Sequence, residues 1–399
     1  MSRFLRISLI IGLFASNILF AHQRSESFSK WIIEENVETK DVSIIFTVKI
    51  SVLNKMDWPF DLKTEDYITK YISESIDVGP NCTSKKRPVF FISKINNFIK
   101  ISWILECLKQ PLEISINSFF EKDSTHSHIA RFQVDNKPIP EKLFTNQSRS
   151  WKEVSDSYMR NKVYEGSSIG DYVTLGIKHI ASGYDHLAFL IGLLLLNVRL
   201  KGIFLAVTGF TLGHSVTLAA AVLGLVKPVS SFVEALIGYS IFLVAIEYFL
   251  RKTNQFTFYL FLIFLGWSSL ILSAYFLNLQ LYFLGLIGTA IFTLTYLSLV
   301  ARTSSRNISY FVICLFGLIH GFGFGGYLSE IGLQDDRIIQ ALLGFNIGVE
   351  LGQILAVLLF LLLGNIIRRV KLRNIWLVKP LLASSLISLG VYWFLTRTF

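Results

Sequence analysis

The chain has 399 residues, 52% of them hydrophobic, 14% aromatic and only 17% charged, with 34 Phe and a formal net charge of +10. Soluble domains average about 25% charged residues, so this balance excludes a disordered chain, a collagen and a purely soluble enzyme. Three Cys exclude a disulfide scaffold, and the basic balance, which would suit a nucleic-acid binder, has a second explanation in a membrane protein.

The first segment reads as a signal peptide over residues 1–21. Arg3 and Arg6 form a basic start, Ile7 to Phe20 an apolar stretch, and Leu19-Phe20-Ala21 a cleavage site. The apolar run falls short of the roughly 20 residues that the alternative, an uncleaved anchor helix, would need. Cleavage would leave His22 at the mature amino terminus.

Residues 22–165 read as an extracytoplasmic β-rich domain. Val42, Ile44, Phe46, Val48 and Ile50 alternate with smaller or polar residues, the period of a half-buried strand. Similar runs occur at 88–93, 98–105, 112–119 and 128–134, with turn material at Gly79-Pro80-Asn81 and at 135–138. The spacing predicts a small antiparallel β-sandwich. Cys82 and Cys107 both fall in it, and behind a signal peptide they are expected to form a disulfide rather than stay free thiols. His126 and His128 share one strand face; solvated polar residues are the expectation there, metal ligands the alternative.

Residues 166–399 form a series of apolar stretches. A lead-in helix over 169–181 is followed by eight predicted spans near 183–198, 202–225, 230–250, 256–277, 279–300, 308–328, 338–363 and 376–396. With the β-domain outside, eleven Lys and Arg fall on the expected inner side, Arg199, Arg251, Arg302 and Arg368 among them, against Lys227, Arg337 and Arg397 on the outer side. That bias places the arginine-rich face in the cytoplasm and the carboxyl terminus outside. The expected fold is therefore a polytopic α-helical membrane bundle of about eight transmembrane helices, preceded by an extracytoplasmic β-sandwich-like domain, in the cell (inner) membrane.

Ionisable residues inside spans are functional candidates by default. They concentrate in a few stretches: His179, Asp185 and His186; His214 beside Ser215; Glu234; His320; and Asn346, Glu350 and Gln353, which follow i, i+4, i+7 on one stripe. The helix rise of about 1.5 Å per residue puts His214 and His320 roughly 18 Å from the inner ends of their spans, and His186 and Glu234 about one turn below the outer surface. Imidazoles and carboxylates converging in depth suit a borderline divalent metal. Yet 179 and 186 lie roughly 10 Å apart on a straight helix, too far to share an ion. Either Gly183 breaks the helix or the two mark successive points on a path. Glu247 with Arg251 at i+4 reads as an interfacial ion pair. The spans at 256–277 and 279–300 hold no charged residue and are expected to face lipid or a partner. There is no phosphate loop, no paired CxxC and no basic stripe with interleaved aromatics, so neither nucleotide nor nucleic acid is expected.

The H-x5-D-H run from His179 to His186 resembles the signature of the HupE/UreJ family, membrane accessory proteins of hydrogenase and urease systems. Gly209-Phe-Thr-Leu-Gly-His214-Ser-Val-Thr-Leu, Phe316-Gly-Leu-Ile-His320-Gly-Phe-Gly-Phe and Phe345-Asn-Ile-Gly-Val-Glu350-Leu-Gly-Gln are similar to the branch with an added amino-terminal extracytoplasmic domain. The resemblance implies a divalent transition metal as cargo (nickel, cobalt or zinc), metal handling by His179, Asp185 and His186, and a metalloenzyme-maturation or extracytoplasmic partner. It departs where nickel-associated members carry F-H-G-x-A-H-G-x-E: Phe324 holds the second His position and no Glu follows in register, leaving His214 and Glu350 to stand in. The expected function is a metal permease or uptake accessory. The alternative is an intramembrane zinc-dependent hydrolase using the same cluster, and a third reading is a membrane-anchored interaction protein.

Overall fold

The computed structural model describes residues 25–54, 65–93, 98–123, 126–135, 137–152, 168–196, 199–252, 255–277, 280–303, 306–331, 338–369 and 377–398. The expected signal peptide and His22 lie outside the described residues. Nine strands form the amino-terminal domain: β1 (Glu26–Glu35), β2 (Thr39–Lys49), β3 (Ile76–Asp77), β4 (Cys82–Ser93), β5 (Phe98–Leu108), β6 (Glu113–Ile116), β7 (Ser127–Val134), β8 (Lys137–Thr145) and β9 (Ser150–Lys152), with short helices α1 (Ile50–Asn54) and α2 (Glu65–Glu74). Six strands pair in the order β4-β5-β2-β1-β7-β8, and a smaller sheet pairs β3-β6-β9. The two enclose one apolar core. Val42, Ile44, Phe46 and Val48 of β2 are all fully buried in it, as alternation requires, and Phe132 stacks on Trp151 across the sheets at 4.3 Å. Ile50, expected to continue the strand, instead opens α1. Cys82 and Cys107 pair directly in register and are joined by a disulfide.

The larger sheet is not wholly antiparallel: β1 runs parallel to β7. Its inward positions include Ser27 and Ser29, which bond histidines of the neighbouring strand. The apolar period that would announce a strand is therefore missing from β1. The 135–138 stretch, expected as a turn, turns at Asp135 (φ 44°) and already enters β8 at Lys137. Pro138 and Pro140 are tolerated because β8 is an edge strand.

The rest is helical: α3 (Ile169–Ser182), α4 (Tyr184–Leu196), α5 (Leu200–Val222), α6 (Ser230–Leu250), α7 (Phe256–Phe276), α8 (Gln280–Thr303), α9 (Arg306–Ile331), α10 (Ile338–Arg369) and α11 (Val378–Thr398). Among the described residues seven helices are long and apolar enough to cross a membrane, and eight spans result if α3 and α4, bent by 71° at their break, count as one. The lead-in helix is thus paired with the helix that follows it across a sharp break. At 13 residues α4 reaches only about 20 Å by itself, less than a bilayer's hydrocarbon thickness.

Glycines set the helix pairs. A Cβ on Gly176 of α3 would lie 2.2 Å from the Phe345 carbonyl oxygen of α10, and one on Gly321 of α9 would lie 2.2 Å from the His214 carbonyl oxygen of α5. Such close approach is how helices associate where water supplies no driving force. Phe258, Phe261 and Phe264 of α7 are exposed, consistent with a lipid-facing helix. Glu247 is buried and accepts from Arg251 Nε (2.7 Å), Ser309 Oγ (2.7 Å) and the Tyr296 hydroxyl. The expected ion pair is therefore the centre of a junction between α6, α8 and α9.

The sandwich stands on the bundle by one end of its strands. Phe28, Phe98, Ile129 and Leu143 join the apolar cluster of the helices. Lys49 Nζ donates to Glu234 Oε1 at 2.9 Å, and the Tyr172 hydroxyl donates to Glu141 Oε1.

Candidate metal centre

The centre grows from the break between α3 and α4. Ser168 and Asp171 cap the start of α3 reciprocally, and Tyr172 and His179, seven residues apart, share a face. At Gly183 the chain turns. Any side chain there would meet His186 Nδ1 (2.7 Å), the His179 carbonyl oxygen (2.9 Å) and Asp185 Oδ1 (3.1 Å). The bend brings the His179 and His186 rings to 4.5 Å between centroids, where a straight helix would hold them roughly 10 Å apart.

His214 of α5 completes the group. One ligand atom from each of His179, His186 and His214 lies within 4.8 Å of the others, and all three side chains are buried. His320 stands next to it, its ring 5.3 Å from that of His186. His186 therefore lies beside His214 and His320, its ring 6.4 and 5.3 Å from theirs. Glu234, in the first turns of α6, is held apart from them by Lys49 and by Arg397, which donates to its carbonyl oxygen at 2.9 Å.

Two tautomers are fixed by hydrogen bonds. His186 Nδ1 is 2.9 Å from Asp185 Oδ1, and His320 Nδ1 is 2.8 Å from the Phe316 carbonyl oxygen. Each acceptor holds the proton on Nδ1 and leaves Nε2 with a free lone pair. Both Nε2 atoms are buried without a hydrogen-bond partner among the described residues. An unmet buried polar atom costs about 1–3 kcal/mol, so such atoms side by side point to a ligand.

The other candidates lie along the groove between α5 and α10. Thr211 Oγ1 donates to Gln353 Oε1 and Thr208 Oγ1 to Glu350 Oε1, both at 2.8 Å. Glu350 is thus kept outside the three-histidine group, about two turns along α5 from His214. Asn346 Nδ2 donates to the Leu342 carbonyl oxygen at 2.9 Å, and Ser215 Oγ to that of Thr211 at 2.7 Å.

An aromatic wall, absent from the sequence reading, surrounds the rings. Phe324 and Phe345 stack at 4.4 Å and flank His179 at 5.0 and 5.3 Å, while Phe210 lies 4.9 Å and Phe189 5.3 Å from His320. Three of the four stand in or beside the histidine-bearing blocks, which was the available signal. The wall surrounds the imidazoles with apolar surface.

His126 and His128 are not solvated. Both are buried and linked in one chain: Trp31 Nε1 donates to Ser29 Oγ (2.7 Å), followed by His128 Nε2 (2.7 Å), His128 Nδ1 to Ser27 Oγ (2.7 Å), His126 Nε2 (2.8 Å), and His126 Nδ1 to Ser25 Oγ (2.6 Å). An indole can only donate, so Ser29 accepts from Trp31 and turns its own proton to His128 Nε2, which leaves the His128 proton on Nδ1, facing Ser27 Oγ. Burial pushes His128 down to about 3.

Fold and site together define a polytopic membrane protein with a histidine cluster inside its helical bundle. The family model for HupE / UreJ protein matches residues 155–281 and 265–397, more than half of the chain, and the chain belongs to this family. No curated protein matches it.

Proposed function

We propose that the chain binds a divalent transition-metal ion (nickel, cobalt or zinc) at His179, His186 and His214, with His320 adjacent and Asp185 orienting His186, and passes it across the membrane. The observation that carries this reading is the convergence of three buried imidazoles at the break of one span. Tetrahedral coordination at about 2.0–2.1 Å sets ligand nitrogens about 3.3 Å apart. Donor atoms within 4.8 Å reach that by ring rotation. The polar pairs Thr211–Gln353 and Thr208–Glu350 continue from the cluster along α5, as a path would. With the sandwich extracytoplasmic, as the loop charges favour, the ion enters beneath the sheet and leaves on the arginine-rich side, toward a metalloenzyme-maturation partner.

The hydrolase reading needs a carboxylate base beside the ion. Asp185 is engaged with His186, and Glu350 is not among the three grouped residues, which favours handling over hydrolysis. The test is ion flux into proteoliposomes. Nickel, cobalt or zinc should enter above the level of empty vesicles, and His186→Ala should lower entry about tenfold or more, in line with the loss of a ligand. Absence of flux with all three ions overturns the proposal. One tightly retained zinc per chain without flux supports the hydrolase instead.

A further inference from the structure

We propose that the bundle-proximal end of edge strand β4 docks on the anionic headgroup surface of the bilayer leaflet facing the sandwich, with Val89 and Phe91 at the headgroup–acyl boundary and Lys86 and Arg87 on lipid phosphates. In β4 the pairing Phe90↔Ile101 points Phe90 into the sandwich core, whereas Val89 and Phe91, opposite Ser102 and Lys100, face the other way. That outer face is the one on which Phe98, at the start of β5, meets the apolar cluster of the helices. Phe91 lies one strand over and two residues along from Phe98, a displacement of about 8 Å.

The contacts advance across the sheet in strand order. β8 meets α3 through Glu141 and Tyr172, and β2 meets α6 through Lys49 and Glu234. β5 follows with Phe98, and β4 is the last strand. The edge thus overhangs the bundle at the level where its neighbours touch the helix ends. At that level the surroundings of a membrane protein are lipid. Val89 is 63% and Phe91 59% exposed, which is costly for a pair of adjacent large apolar side chains in water. Lys86 and Arg87, both exposed, lie farther up the same strand, where headgroup phosphates would stand above an inserted Phe91. Apolar tip below and cations above is the order in which interfacial segments sit at anionic membranes.

The test uses the full chain with Cys314→Ser and its native disulfide, labelled through Phe91→Cys or, separately, Val89→Cys with a small fluorophore. Val37→Cys marks the far end of the strands, where Val37 is 90% exposed. The protein is placed in nanodiscs of phosphatidylcholine, with or without phosphatidylglycerol, that carry a quenching lipid. Quenching at 91 and 89 should exceed that at 37 by about threefold or more. Lys86→Ala with Arg87→Ala should reduce it about twofold or more in the phosphatidylglycerol discs, and added salt should do the same. Quenching at 91 no stronger than at 37 overturns the proposal. So does cross-linking of position 91 between copies in place of quenching, since the occupant is then a second chain. Quenching that ignores both basic residues and salt overturns the headgroup assignment.

Discussion

Acidification should loosen the β-sandwich through His128. The ring is fully buried between Phe46 (5.1 Å) and Phe144 (5.9 Å), and both its nitrogens are committed to serine hydroxyls. Its folded value near 3 lies below the roughly 6.5 of an unfolded histidine. The unfolded state therefore binds the extra proton first, and stability rises with pH in that window. No penalty exists above about pH 6.5. It grows by about 1.4 kcal/mol per pH unit below that, reaches about 2.7 kcal/mol at pH 4.5, and levels off near pH 3. Protonation also breaks the chain, because Ser29 could no longer donate to Nε2. Hydrogen exchange of the β1 and β7 amides reports the opening free energy of this region. It should fall with that slope between pH 6.5 and 4.5, and His128→Gln should remove about one proton from the slope. The same slope in wild type and variant would refute the reasoning.

Asp185→Asn should weaken metal binding about 10–100-fold without unfolding the bundle, because only the orientation and basicity of His186 change; titration calorimetry in detergent measures this. Gly183→Ala should abolish metal binding, since the added methyl meets His186 Nδ1 at 2.7 Å and the His179 carbonyl oxygen at 2.9 Å; metal content of the purified variant gives the readout. Reducing the Cys82–Cys107 bridge, 25 residues apart, should destabilise the sandwich by about 3.5 kcal/mol on loop entropy while flux persists. Glu247→Leu should remove the buried carboxylate shared by Arg251, Ser309 and Tyr296, at about 3–5 kcal/mol, read as a lowered thermal midpoint.

How much of this was written plainly in the sequence follows the physics of each part. The spans were legible because apolar length is forced by the bilayer, and β2 because its inward positions are all apolar. β1 was hidden because Ser27 and Ser29 occupy inward positions and are satisfied by His126 and His128, partners about 100 residues away. The histidines of the centre could be named, since ionisable groups in apolar spans are conspicuous. Their grouping could not. It depends on a 71° bend, and the sequence shows only a glycine that could permit one. The neighbours of His186 were hidden for the same reason: its ring lies 5.3 Å from that of His320 on another helix, which spacing along one helix does not contain. Glu350 was plausible by depth but is held by Thr208 on a different turn of α5, a lateral fact that spacing along one helix does not contain.

The same geometry bears on the proposed passage of an ion. The group offers imidazole nitrogens, with His320 adjacent, and Asp185 is their immediate carboxylate, acting through His186. A divalent ion there keeps a net positive charge in an aromatic, low-dielectric wall, so attraction is bounded. Conduction needs binding strong enough to draw the ion in and weak enough to release it. Glu350, on α10 and bonded to Thr208 of α5, supplies a carboxylate beyond the histidines. An ion leaving the imidazoles in that direction gains an oxygen ligand as it loses a nitrogen one. On this reading Glu350→Gln should leave ion binding at the histidines nearly intact and slow flux, whereas His214→Ala should lower both together. Equal effects of the two substitutions on binding would place Glu350 in the same shell and remove the argument for a path.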